Sequence, residues 1–192
     1  MSEPAGPTLV TERLILRRWR ESDREPFARL NADPEVMRHF LRPLERAESD
    51  ALVDRIEARF EERGYGLWAV ERREDGAFLG FVGLAYQTFD APFTPCVEVG
   101  WRLDRFAWGH GYATEAAREA VRFGFDEAGL DEIVSFTSRG HASSIRVMEK
   151  LGLHRDPADD FDYPNIPAGH PLRRHVLYRL RRGEFIASRD LS

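Results

Sequence analysis

Between Val97 and Ala128 a strand pattern, a glycine-bearing turn and an alanine-rich helix follow one another without a linker: VEVGWRLD, RFAWGHG, YATEAAREAVRFGFDEA. This junction separates two halves with different patterning. Upstream, residues 67–71 and 77–86 read as strands around Asp75-Gly76, a hairpin signal. Residues 97–103 add a further strand, with Val97, Val99, Trp101 and Leu103 on one face. Downstream, a helix from about Thr114 to Ala128 stops at Gly129, and a strand covers 132–137. A second helix then runs to Leu151, with Gly152 as its cap. Antiparallel strands followed by strand–helix–strand alternation specify a mixed α+β sheet.

The flanks fill in the rest. Residues 14–19 form a short strand, and Ser22 to Glu25 is a capping box opening a helix to about Leu30. Asp33-Pro34 marks another helix start. Leu52, Val53, Ile56 and Phe60 recur at helical spacing over 48–62, and Gly64 ends that helix. Strand candidates at 153–155 and 175–180 enclose a long irregular loop. No repeat or low-complexity linker intervenes, so residues 1–192 read as one domain with a core over about 8–182.

At 192 residues, roughly 70% of the unfolded surface can be buried, enough for a core without disulfides or metals. The net charge of −5 argues against a general nucleic-acid binder. Cys96 is the one cysteine, so no intramolecular disulfide forms, as in a reducing compartment. The opening MSEPAGPTLVTER has no basic segment before an apolar run, and no apolar run reaches the ~20 residues of a membrane span. A cytoplasmic protein with no membrane partner is expected. The six histidines show no ligand spacing, so no metal site is expected.

Gly109 and Gly111 allow positive φ and close approach of backbone to a ligand. The helix behind them starts with unpaired N–H groups and partial positive charge, which suits a phosphate. The turn is neither of two common phosphate loops. No Gly-Lys-Ser/Thr follows, and Thr114 stands where a dinucleotide fingerprint needs its third glycine. Taken alone, an ordinary strand-to-helix turn explains it better than a ligand site.

Its neighbours change that balance. EVGWRL before the turn, WGHGYATEA within it and HASSIRVMEKLG about thirty residues later resemble the GNAT acyl-CoA N-acyltransferase superfamily. The likeness is closer to the RimJ/RimL-like branch, whose members acetylate protein N-termini or small amines. It extends from TERLILR near the start to HVLYRL near the end. The resemblance implies a GNAT fold: a mixed, mostly antiparallel twisted sheet of about seven strands flanked by about four helices. Its fourth and fifth strands splay apart to hold acyl-CoA. It also implies an N-acetyltransferase that moves the acetyl group of acetyl-CoA to a primary amine.

Site residues follow from the same resemblance. Trp108, Gly109, His110, Gly111, Tyr112, Ala113 and Thr114 become the cradle for the coenzyme A pyrophosphate. The strand backbone at Val99, Trp101 and Leu103 would hold the pantetheine arm, with a bulge at Gly100 opening the strands. Phe106 stands where Gln or Arg is usual, and His141 where Asn contacts the pantetheine. Glu98 is the candidate base, because an alkylamine of pKa ~10 must lose a proton to attack a thioester. An exposed glutamate or a structural ion pair is the plain alternative for it. Ser144 is the candidate acid for the departing thiolate, or else a helix cap. Met148 fills the position of the tyrosine acid of other branches, and Cys96 lacks an activating partner.

Acceptor walls are expected in the 155–175 loop. Asp159, Asp160 and Asp162 would attract a cationic amine and Phe161 and Tyr163 would cover its apolar part. Phe89 and Phe93 would line the same cleft. A solvated loop or a homodimer contact is the alternative. Because Phe106 and His141 depart from the pattern, a non-catalytic acyl-CoA binder on this fold is the competing function.

Overall fold

The computed structural model describes residues 6–189. The first five residues of the opening segment, and both ends of the single-domain assignment, lie outside the described residues. In chain order the elements are β1 (Leu9–Val10), β2 (Leu14–Arg17), α1 (Arg24–Ala32), α2 (Arg46–Arg63), β3 (Leu67–Arg72), β4 (Phe78–Gln87) and β5 (Cys96–Leu103). Then come α3 (Tyr112–Asp126), β6 (Glu132–Ser138), α4 (Ala142–Lys150), β7 (His154–Arg155), β8 (Phe161–Asp162), β9 (Arg174–Arg181) and α5 (Arg182–Arg189).

The strands form one sheet in the order β1-β2-β3-β4-β5-β6-β9-β7, with β8 also beside β9. All neighbours are antiparallel except β5 and β6. The described residues thus hold nine strands and five helices, against about seven and four expected. The surplus is β1 and β8, two-residue strands too short to carry a period-2 signal, and α5.

Helix α3 covers one face of the sheet. Its Ala116, Ala117 and Ala120 are fully buried, and these small side chains let it sit close. At Gly124 an added Cβ would lie 2.8 Å from Ile133 Cδ1, so a larger residue where α3 meets the start of β6 would push the Ile133, Leu84 and Leu130 side chains aside. On the opposite face, Phe27 and Leu30 of α1 and Val53 of α2 pack with Phe81 of β4. Each such side chain contributes about 1.5–3 kcal/mol on burial. Arg17, itself buried, reaches Asp23 at 2.8 Å and Glu71 at 2.7 Å, joining β2, α1 and β3.

Four local expectations are corrected. Asp33-Pro34 opens turns rather than a helix, although Asp33 accepts the Glu35 N–H as an N-cap would. Helix α1 does not use the Ser22–Glu25 box. Asp23 caps it, and its carboxylate instead accepts the Arg20 N–H and binds Arg17. Gly100 hosts no bulge: β4 and β5 stay in register from Gly80↔Leu103 to Gln87↔Cys96, and the shift falls at Val70/Glu71. Helix α3 starts at Tyr112, two residues earlier than Thr114, because Gly111 at φ 81° already turns the chain.

Candidate functional site

Strand β5 is the axis of the site. It runs parallel to β6 but pairs with it at one position, Glu98 opposite Val134. Beyond that point Ser135 donates its hydroxyl to the Val99 carbonyl at 2.9 Å, and no further backbone pair forms. The strands therefore part towards Leu103 and Ser138. Val99 and Leu103 turn their side chains into the core, with Trp101 packed partly against it, so their backbone faces the gap. Two of those carbonyls are already taken, Val99 by the Ser135 hydroxyl and Leu103 by the Trp108 indole.

Alternation places Glu98, Gly100 and Arg102 on the other face of β5. Glu98 is half-buried as a residue, with protein packed around its carboxyl. Gln87 of β4 donates to Glu98 Oε2 at 2.6 Å. Burial pushes the Glu98 carboxyl up to about 8, against the smaller opposing pull of Gln87. One expected alternative, a structural ion pair, is absent: no cation among the described residues lies within ion-pair range of Glu98. Burial pushes the neighbouring Cys96 thiol up to about 12, with the Glu98 charge adding to it. Such a thiol stays protonated and is no nucleophile.

The turn after β5 matches its expected geometry. Gly109 and Gly111 have φ of 79° and 81°, open to glycine alone without strain. The first intrahelical bond of α3 runs from the Glu115 N–H to the Gly111 carbonyl at 3.0 Å. The N–H groups of Tyr112, Ala113 and Thr114 thus have no intrahelical partner. Glu115, which could fold back to cap them, is held by Thr11 and Arg13 instead. Trp108 is folded back, with its indole N–H on the Leu103 carbonyl at 2.9 Å, and His110 stacks on Tyr112. Phe106 is exposed, and Arg13 reaches the His110 carbonyl. A cleft lined by Glu12, Arg13, Arg72, Arg73, Glu74 and Tyr112 opens beside the turn.

Across the gap, α4 begins at His141. Ser144 lies one turn inside the helix, buried, with no hydrogen bond from its hydroxyl among the described residues. It is therefore not the cap. His141 stacks on His39 and its Nδ1 lies 3.0 Å from Thr137 Oγ1.

The acceptor expectations divide. Asp159, Asp160 and Asp162 are paired with Arg179, Arg155 and the adjacent Arg173 and Arg174. These carboxylates are neutralised inside the chain and do not form an open anionic wall. Phe89, Phe93, Phe161 and Tyr163 do come together, joined by Phe136 and His175. Burial raises the Tyr163 phenol; Asn165 opposes this and the Glu98 charge adds to it.

The comparisons with known proteins agree with this geometry. A family model described as an acetyltransferase (GNAT) domain matches residues 13–154. The chain belongs to the GNAT acetyltransferase family. YkkB, an uncharacterized protein of Bacillus subtilis (strain 168), is 34% identical over 153 residues, covering 78% of this chain and 87% of its own. The FsC-acetyl coenzyme A-N(2)-transacetylase of Aspergillus fumigatus is 33% identical over 195 residues, covering 97% of this chain and 81% of its own. An acetyltransferase structure from Agrobacterium tumefaciens str. C58 superposes with a TM-score of 0.73 at 27% identity, covering 91% and 94% of the two chains. A Bacillus anthracis GNAT structure gives 0.76 at 22% identity over 93% and 100%, a likeness of fold.

Like other GNAT acetyltransferases, the chain is an acetyl-CoA-dependent acyltransferase. Its residues fit that donor: a β5 edge that pairs with β6 only at Glu98 is followed by positive-φ glycines and by N–H groups without intrahelical partners at the start of α3. No helix among the described residues is long and apolar enough to cross a membrane. Sequence reasoning about this GNAT chain missed Gln87, His39 and Arg102. Arg102 was findable, since it shares the period-2 face of Glu98. Gln87 and His39 reach the site from other elements and carry no local signal.

Proposed function

We propose that the chain transfers acetyl from acetyl-CoA directly to a primary amine, with Glu98 as proton acceptor and Ser144 as proton donor. The observation that carries this reading is the Glu98 carboxyl, buried, hydrogen-bonded to Gln87 and placed where β5 and β6 part. With its pKa near 8 the carboxylate can take a proton from an ammonium and pass it to solvent. N–H groups of β5 polarise the thioester carbonyl, and the Ser144 O–H faces the departing sulfur. Tyr112, Ala113 and Thr114 hold the pyrophosphate with backbone N–H groups, so Phe106 costs no donor. The acceptor is a small-molecule amine or a protein N-terminus, as in the RimJ/RimL-like branch.

The test has two steps. Acetyl-CoA at 100 times its dissociation constant should stabilise the protein by about 2.7 kcal/mol in thermal melts. Free thiol release is then followed over a panel of amines and N-terminal peptides. No thermal shift rejects the donor site. A shift without turnover selects a non-catalytic acyl-CoA binder, the reading favoured by Phe106 and His141.

A further inference from the structure

Arg102 is a guanidinium enclosed by protein with no carboxylate within ion-pair range among the described residues. Its surroundings are Asn31, whose Oδ1 accepts from Nη1 at 2.6 Å, and the rings of Phe40 and Phe81 at 4.3 and 5.4 Å. Its Nε is buried without any hydrogen-bond partner. Arg17 shows how this fold treats a structural buried arginine: two carboxylates meet it. A buried cation left unpaired is expensive to keep. Burial lowers Arg102 to about 10, so it still carries its charge at neutral pH.

The free edge has a definite shape. Asn31 occupies Nη1 and is itself fixed by its side-chain N–H, which donates to Ser49 Oγ at 2.9 Å. Nε and Nη2 remain, the pair that a carboxylate grips with two parallel hydrogen bonds. Phe40, an exposed ring on a stretch without helix or strand, lies against the face of the guanidinium and leaves that edge to one side. Its neighbour His39 reaches across to Ser138 and His141, so this stretch spans the open mouth between β5 and β6. Arg102 lies under that span.

Along β5, Arg102 shares its face with Glu98, about 13 Å away from Cα to Cα at the strand rise. Gly100 lies between them with no side chain, and Glu98 Oε1 leans over it, 3.7 Å from where a Cβ would be. The floor between base and guanidinium is therefore open. We infer that the acceptor carries a carboxylate besides its amine, bound by the Nε–Nη2 edge of Arg102 beside the Phe40 ring, while Glu98 receives the amine. This rests on the transfer reading above and adds the chemical class of its acceptor.

The probes are ω-amino carboxylates from glycine to 6-aminohexanoate, each compared with its own amide. The wild type should favour the carboxylate by about ten-fold or more in kcat/KM at the best chain length, expressed in KM. In Arg102→Met that ratio should fall to about one, with Arg102→Lys between. Equal use of carboxylate and amide by the wild type overturns the inference, as does a ratio unchanged in Arg102→Met. A readout free of turnover and of variant folding is the ¹⁵N resonance of the wild-type Arg102 Nε–H. N-acetyl-6-aminohexanoate should shift it and the corresponding amide should not; equal responses overturn the proposal. Thermal stabilisation by acetyl-CoA and turnover of the amides report on the transfer reading separately.

Discussion

The imidazole rings of His39 and His141 stack with centroids 3.8 Å apart and 13° between their planes. His39 belongs to the turns after α1 and His141 to the start of α4, so the stack ties the roof of the gap to its far wall. Ser138 Oγ and Thr137 Oγ1 hold the two Nδ1 atoms at 3.1 and 3.0 Å. Burial pushes His141 down to about 4, helped by the neighbouring His39 and Arg38. Burial also lowers His39, with Arg38 adding to it. Both rings are neutral at pH 7.

A depressed histidine loses its stabilising effect as pH falls, because the unfolded chain binds the proton more readily. Between about pH 6.5 and 4 the stack should open. Hydrogen-exchange protection factors at residues 34–44, corrected for the intrinsic pH dependence of exchange, should fall over that range in the wild type. In His141→Asn the same amides should show a much flatter pH response. An unchanged response would mean that the stack does not hold the roof.

Glu98→Gln separates chemistry from stability. A carboxyl raised to about 8 binds its proton more tightly folded than unfolded, so it favours the fold below its unfolded pKa and opposes it as pH rises towards 8. Glu98→Gln should therefore raise Tm more at pH 8 than at pH 5. The same change should lower kcat/KM by 10²–10⁴-fold, the usual contribution of a positioned base. It should also remove the rising limb of the rate profile near pH 8.

Ser144→Ala removes the hydroxyl of a buried residue that shows no side-chain hydrogen bond among the described residues. Loss of a hydroxyl in that state should change stability by about 0.5 kcal/mol or less, since no bond is broken. If Ser144 protonates the departing thiolate, kcat should fall while the acetyl-CoA KM holds. Equal kcat in the two proteins excludes that role.

Gly111→Ala places a Cβ at φ 81°. The left-handed conformation should cost about 1–2 kcal/mol, measured as a lower denaturation midpoint. The added methyl would stand near the Arg13 guanidinium, 3.6 Å from the Cβ position. Thermal stabilisation by acetyl-CoA should shrink as the cradle shifts, with Gly64→Ala as a positive-φ control away from the turn.

Cys96, held at about 12 by burial, should alkylate far more slowly in the native protein than in denaturant at pH 8. Cys96→Ala should leave turnover intact. A burst of acetyl-enzyme in the wild type would contradict direct transfer.

The residues of β4, β5 and α3 declare themselves in sequence because their burial is local and periodic. Val97 and Val99 alternate, Ala116, Ala117 and Ala120 recur along one helical face, and Gly109 and Gly111 bracket a turn that needs positive φ. Family membership and the expected cradle were legible for that reason. Asp33-Pro34 misled because a capping residue states where a helix can begin, while continued packing decides whether it does; here the chain must instead turn to carry His39 and Phe40 over the gap. The sequence by itself determined the sheet, the glycine turn and the presence of Glu98 on the open face of its strand. Only the tertiary structure decided which charges are neutralised. It paired Asp159, Asp160 and Asp162 with arginines, surrounded Glu98 with protein and Gln87, and left Arg102 without a carboxylate. Ion pairing and desolvation depend on what approaches from distant parts of the chain, and no local spacing encodes that.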